Sequence, residues 1–161
     1  MPPRVGGEQI TEPEILHVAP PPPNVDELIG LARARLNIPE FVAAEQLLGA
    51  NRPPGNRLEE AQIIVASFIV IQTRYLLLRG AIHRADPRIL MIGEDGLVAY
   101  LREYSALYDR AKARMMHLIA RPGEHRHHRG FLRLQRAALA WMRQVRILEQ
   151  ELGGMVAALF N

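Results

Sequence analysis

The sequence predicts an all-α protein, an antiparallel bundle of three long helices and two short N-terminal helices preceded by a proline-rich arm. Three observations support this prediction. Three stretches carry apolar residues at alternating spacings of three and four, turn-forming residues separate the stretches, and no second strand-like segment exists to pair with the one short apolar run that could be a strand. Because short connections make successive helices antiparallel neighbours, we expect residues 24–161 to form one helical bundle domain.

The arm comprises residues 1–23, which are rich in proline and glycine. Its last four residues are consecutive prolines, which favour the extended polyproline II conformation and cannot continue a helix. The simplest interpretation is a disordered tail, and the alternative is an extended arm that docks on a neighbouring surface. The apolar anchors of such an arm would be Ile10, Ile15, Leu16 and Val18.

Two short helices are predicted to follow the arm. Asn24 with Glu27 three residues later is a capping pattern, which satisfies free backbone amides and predicts a helix over about residues 24–36. Pro39 then breaks the chain, because the residue before a proline avoids the helical region and proline suits a first helical turn. The second short helix, about residues 39–49, carries no arginine, which disfavours a DNA-reading helix-turn-helix.

The first long helix is predicted over about residues 57–85 and should lie at the centre of the bundle. Asn56 and Glu59 repeat the capping pattern at its start, and Asp86 with Pro87 ends it. The apolar residues that recur at spacings of three and four form a line along each long helix, which we call its seam. Further apolar residues beside this seam widen the apolar face of the helix, which indicates contacts on more than one side. The seam consists of Ala61, Ile64, Phe68, Ile71, Tyr75, Leu78 and Ile82, and the flanking residues are Val65, Ile69 and Leu76.

The next connection, residues 88–96, includes the apolar run 89–92, which could be a short helical turn or a strand. We favour a buried link, because no second strand exists to pair with it. Asp95 then caps a second long helix over about residues 96–120. The seam of that helix is Leu97, Leu101, Tyr104, Tyr108, Ala111, Met115 and Leu118.

The third long helix is predicted over residues 128–161, and we expect the other helices to pack around it. Trp141 lies in its seam, so we expect this side chain in the core, whereas Gly153 and Gly154 predict a bend or break near the end. The seam comprises Phe131, Leu134, Ala138, Trp141, Val145, Leu148, Leu152, Met155 and Leu159.

Basic charge is concentrated near this helix. The net charge of the chain is only +3, but residues 109–146 hold 10 basic and 2 acidic side chains. At about 100° per residue, five arginines fall within an arc of about 100° whose centre points away from the seam. They are Arg126, Arg129, Arg133, Arg136 and Arg143. This face is either a solvated surface or a contact surface for a polyanion such as phosphate or an acidic protein. The acidic partner could also be the chain's own arm, which carries Glu8, Glu12 and Glu14. Arg110, Lys112 and Arg114 would extend the face.

The sequence offers little catalytic chemistry, and we predict no catalytic residue, cofactor or metal. The chain has no cysteine, which excludes thiolate sites. His125, His127 and His128 lie close together, but the neighbouring Arg126 and Arg129 oppose cation binding. No phosphate-binding loop or serine elbow is present.

The favoured functional hypothesis is a non-catalytic helical subunit of a larger assembly or homo-oligomer, with the basic helical face contacting a polyanion. Its partners would be itself or other protein subunits, and Met155, Leu159 and Phe160 are the predicted interface residues. One alternative is a nucleic-acid-binding module that acts through the arginines of helix 128–152 and contacts DNA or RNA phosphates. A second alternative is a small ligand-binding or enzymatic bundle. The sequence lacks a signal peptide and a run of about 20 apolar residues, so we expect a cytoplasmic protein without a membrane span.

Overall fold

The computed structural model describes residues 24–35 (with backbone only for 32–35), 38–120 and 129–161, and every regular element within these ranges is a helix. The helices are α1 (Val25–Arg35), α2 (Pro39–Gly49), α3 (Arg57–His83), α4 (Pro87–Ala120) and α5 (Arg129–Leu159). They pack against one another, so the predicted all-α class is confirmed. The predicted arm and the histidine loop, with Arg126, lie outside the described residues.

The predicted capping residues begin two of these helices. The side-chain oxygen of Asn24 accepts a hydrogen bond from the Glu27 amide at 2.8 Å, and that of Asn56 accepts one from the Glu59 amide at 2.9 Å. The Glu59 carboxylate in turn accepts from the backbone amide of Gly55 at 2.8 Å. The bonds to Asn24 and Asn56 each satisfy an amide that a helix start leaves free, which explains why both boundaries could be predicted from the sequence.

Helix α3 is the central element, as its broad apolar face predicted. It packs against all four of the other helices, and its seam residues Phe68, Ile71, Tyr75 and Leu78 are fully buried. By length and composition alone α3 could cross a membrane, but 61% of its most apolar stretch is covered by the other helices. A core helix of a soluble protein passes the same test, so this property is weak support for a membrane span.

The core has two parts. The main cluster joins α1, α3, α4 and α5, whereas α2 contributes to a smaller cluster that it forms with α3 alone. In the smaller cluster Phe41 and Ala44 of α2 pack against Ala66 and Val70 of α3. Among the described residues, α2 therefore packs mainly on α3.

Helix α3 ends in a hydrogen-bonded turn, whereas the sequence predicted only that the helix ends near Asp86 and Pro87. The amide of Asp86 donates to the carbonyl of Ala81 at 3.1 Å, and the amide of Ala85 donates to that of Ile82 at 3.0 Å. This pair of bonds is the Schellman pattern, which requires a left-handed residue after the helix cap. Ala85 takes that conformation with φ of 53°, although its Cβ makes the conformation costly.

We therefore expect Ala85→Gly to raise the free energy of unfolding by about 1 kcal/mol, because glycine adopts positive φ without the steric penalty. Urea unfolding followed by circular dichroism measures the change. Ala106→Gly on the exposed side of α4 is the matched control, and the same substitution should cost about 1 kcal/mol there because the position is inside a helix. Equal signs for the two substitutions would contradict the interpretation of the Ala85 turn.

Helix α4 begins at Pro87, which is earlier than predicted. The prediction that residues 89–92 form a buried link is largely wrong. Residues 87–92 form a helical turn, because Asp86 caps the Arg88 amide at 3.0 Å and Pro87 suits a first helical position. Hydrogen bonding from the Arg88 side chain also holds the pKa of Asp86 low, at about 2. Gly93, with φ of 82°, kinks the helix after this turn. Only Ile89 of the apolar run is buried.

Helix α5 corrects two further predictions. It continues without a break through Gly153 and Gly154. Trp141, expected in the core, is only partly buried, whereas its neighbour Met142 is 7% exposed. The reason is that a straight helix has 3.6 residues per turn, so a heptad pattern drifts by about 20° per repeat along it. The same drift acts near the end of the helix, where Val156 is more buried than the predicted seam residue Met155.

Candidate functional site

The outer face of α5 carries four of the five predicted arginines. Arg129, Arg133, Arg136 and Arg143 are all exposed, and they stand on the side of the helix opposite its buried residues. Within the described residues none of the four makes an ion pair or a side-chain hydrogen bond. No aspartate or glutamate occurs on α5 before Glu149. Four uncompensated positive charges therefore lie along about 21 Å of helix, at about 1.5 Å per residue.

Arg146 lies on the same helix, but unlike the four exposed arginines it contacts side chains of the fold. Its guanidinium lies 3.7 Å from carboxylate oxygens of both Asp109 on α4 and Glu149 on α5. It also covers the ring of Tyr108 at 5.1 Å from the ring centre. Arg146 therefore helps to join α5 to α4, and it is not part of the free basic surface.

Large aliphatic side chains lie among the arginines, which sequence reasoning missed. Leu132 is 37% exposed, Leu139 is 41% exposed and Ile147 is 61% exposed. At about 100° per residue all three fall within about 80° of Arg129. The signal was present in the sequence, because these residues stand outside the apolar seam of α5. We call the seven exposed residues the α5 outer face: Arg129, Leu132, Arg133, Arg136, Leu139, Arg143 and Ile147.

The other predicted contact residues are placed differently. Met155 and Phe160 are partly buried against the main core of their own chain, and only Leu159 is exposed, at 38%. On α4, Arg114 lies 3.5 Å from the Glu60 carboxylate of α3, so a partner within the chain already engages it. Arg110 and Lys112 are exposed.

A second polar cluster surrounds Arg74 on α3. Its guanidinium lies 3.1 Å from the Asp26 carboxylate of α1 and 3.6 Å from the Glu45 carboxylate of α2. It also lies 5.4 Å from the ring centre of Tyr104 on α4. One arginine thereby connects four helices. Burial raises the pKa of the adjacent Tyr100 hydroxyl above its ordinary value, so this hydroxyl is protonated near neutral pH.

A shallow groove runs between α4 and α5 near the C-terminal end of α5. It has a volume of about 280 Å³. Small and apolar residues, which we call its floor, form part of the lining, and the polar residues Glu94, Arg102, Ser105 and Glu149 complete it. We call it the α4–α5 groove, and its floor consists of Val98, Leu101, Gly153, Val156 and Ala157.

In the described ranges 24–35, 38–120 and 129–161 no group of three histidine, aspartate or glutamate side chains is placed to hold a metal ion. The structure therefore offers two surface features as candidate sites, the α5 outer face and the α4–α5 groove. Comparison with known proteins adds no functional assignment, since no family model, curated protein sequence or solved structure matches the chain.

Proposed function

We propose that this protein is a non-catalytic assembly subunit that binds an acidic partner protein through the α5 outer face. The five helices would serve as a scaffold, an antiparallel bundle of three long and two short helices that holds α5 with one side free. The observation that carries the proposal is the combination of four unpaired arginines with three exposed aliphatic side chains on one helical face.

The aliphatic residues favour a protein partner over nucleic acid. Phosphate groups are bound by arginine and lysine, and an exposed isoleucine contributes nothing to such contacts. A partner helix with alternating acidic and apolar residues would pair with the arginines and also cover Leu132, Leu139 and Ile147. Burying a fully exposed side chain of this kind contributes about 1.5–3 kcal/mol. These three side chains are 37–61% exposed, so covering each one contributes a corresponding share, comparable with or larger than an exposed ion pair.

The charge of the face also bears on self-association. In a symmetric dimer the same surface patch of each copy faces its counterpart. Pairing two α5 outer faces would bring like charges together, which is unfavourable. A homo-oligomer of this chain would therefore use another surface, and the α5 outer face suits a partner of opposite charge.

The test uses two fluorescent probes, a designed amphipathic helical peptide of glutamate and leucine and a mixed-sequence DNA duplex. Replacing Arg133, Arg136 and Arg143 together with glutamine should weaken peptide binding at least about tenfold, since each exposed ion pair contributes up to about 1 kcal/mol. Fluorescence anisotropy at two salt concentrations measures both affinities. The control replaces three exposed arginines elsewhere, which changes the net charge equally: Arg52, Arg84 and Arg102.

Ile147→Ser separates the two partner classes. If the face binds an acidic protein, this variant should lose about tenfold in peptide affinity while duplex binding is unchanged, because only the peptide covers the aliphatic side chain. A nucleic-acid module would instead bind the duplex more tightly than the peptide, with a steep loss of affinity as salt rises, and Ile147→Ser would affect neither probe. Equal behaviour of the two triple variants would overturn the role of the α5 outer face.

A further inference from the structure

The chain enters the described structure beside α4, close to the α4–α5 groove. Asn24 and Val25 share a surface cleft with Ala99, Tyr100 and Glu103 of α4. At about 100° per residue, the α4 residues that line this cleft and those that line the groove lie on opposite flanks of the helix, about 180° apart. The chain that precedes Asn24 therefore reaches the groove by crossing a single helix.

The length of chain available matches that crossing. In the polyproline II conformation favoured by prolines 20–23, the six residues from Val18 to Asn24 span about 19 Å, at about 3.1 Å per residue. A helix with its side chains is about 10–12 Å across. The outer surface of α4 at this level includes the exposed Ala99 and Ala106, whose short side chains leave room for a crossing strand of chain.

The sequence before the prolines suits the groove chemically. Ile15, Leu16 and Val18 are apolar, as is the floor of the groove. Glu14 precedes them, and Arg102 at the groove edge has no ion pair among the residues that the structure describes.

The cleft at the chain entry offers a second attachment point. The Tyr100 hydroxyl, which is buried, has no hydrogen-bond partner of good geometry in the described ranges. Arg74 and Tyr104 lie beside it, and a further acceptor at this cleft would complete the hydrogen bonding of the hydroxyl. A chain crossing α4 at this level carries backbone carbonyl groups, which are acceptors of the required kind.

We propose that residues 15–18 of the same chain occupy the α4–α5 groove, with the prolines laid across α4. The docked segment adds apolar burial to the surface between α4 and α5, and it leaves the α5 outer face free. The proposal stands independently of the proposed function, because the groove and the α5 outer face share no residue.

Disulfide trapping tests the proposal directly, since the chain has no cysteine of its own. In the full chain, His17→Cys is combined with Ala157→Cys on the groove floor, and in the control it is combined with Ala140→Cys on the exposed side of α5. A disulfide requires Cα atoms within about 7 Å. We expect the groove pair to oxidise within one chain at least about tenfold faster than the control pair, because docking raises the effective concentration of the two thiols.

Two further variants exclude a chance encounter of the thiols. Leu16→Asp in the groove pair should slow the disulfide at least about tenfold, because it places a charge against apolar side chains. Gly153→Leu should do the same by filling the groove, and it should not unfold the protein, since the space around Gly153 is open and leucine favours a helix. Equal rates for both cysteine pairs would overturn the proposal, as would a disulfide formed only between two copies.

Discussion

Replacing Phe68 with alanine is expected to lower the free energy of unfolding by about 3–5 kcal/mol, the range for deleting a buried phenylalanine. Phe68 is fully buried on α3, the helix that contacts every other helix. Its ring lies 5.8 Å from that of Tyr108 on α4, in a tilted arrangement that adds to the value of the buried area. The substitution would leave a cavity between α3 and α4 and remove this ring contact.

Urea unfolding followed by circular dichroism measures the loss. Leu76→Ala is the matched control, because Leu76 lies on the same helix but is 39% exposed. Surface substitutions of this kind usually change stability by less than about 1 kcal/mol. If both variants lost the same stability, α3 would not be oriented in the bundle as described.

Leu152→Ala is expected to cost about 3–5 kcal/mol, the upper part of the range for a fully buried leucine. Leu152 is 0% exposed and immediately precedes Gly153 and Gly154. A large effect at this position requires that α5 remain packed on the bundle up to the glycines, where a break was expected from the sequence.

Leu159→Ala is the control on the same helix, since Leu159 is 38% exposed near its end. We expect that variant to lose less than about 1 kcal/mol. A small effect for Leu152→Ala, comparable with that for Leu159→Ala, would mean that the C-terminal part of α5 is not packed on the core. Both variants are compared by the same urea titration, in which Trp141 is the only tryptophan and reports on α5.

The elements that could be predicted from the sequence were those with local signals. Asn24 and Asn56 marked helix starts because a side chain three residues from an amide can cap it without help from the rest of the fold. The start of α4 was missed because Asp86 and Pro87 were interpreted as an end. The same two residues also begin the next helix, and the left-handed Ala85 between the two helices gives no sequence signal.

It was harder to predict from the sequence which side chains of each helix face the core or contact other helices. The heptad pattern placed Trp141 in the core, but the drift between 3.5 and 3.6 residues per turn moved Met142 into that position. The role of Arg74 could not be predicted, because Asp26 and Glu45 lie on helices whose packing on α3 is a tertiary property. Arg133 and Ile147 of the α5 outer face were visible in the sequence, but only the burial pattern shows that both are exposed.

Because α2 packs in a small cluster outside the main core, we expect it to open separately from the rest of the fold. Opening α2 would break the small cluster around Phe41 and the contact between Glu45 and Arg74, while the main core would stay intact. Such a partial opening would cost less than global unfolding, so we expect the amides of α2 to exchange faster with solvent than those of the main core. In that open state Ala66 and Val70 of α3 would be uncovered, which gives the protein a transient apolar surface that the closed bundle hides.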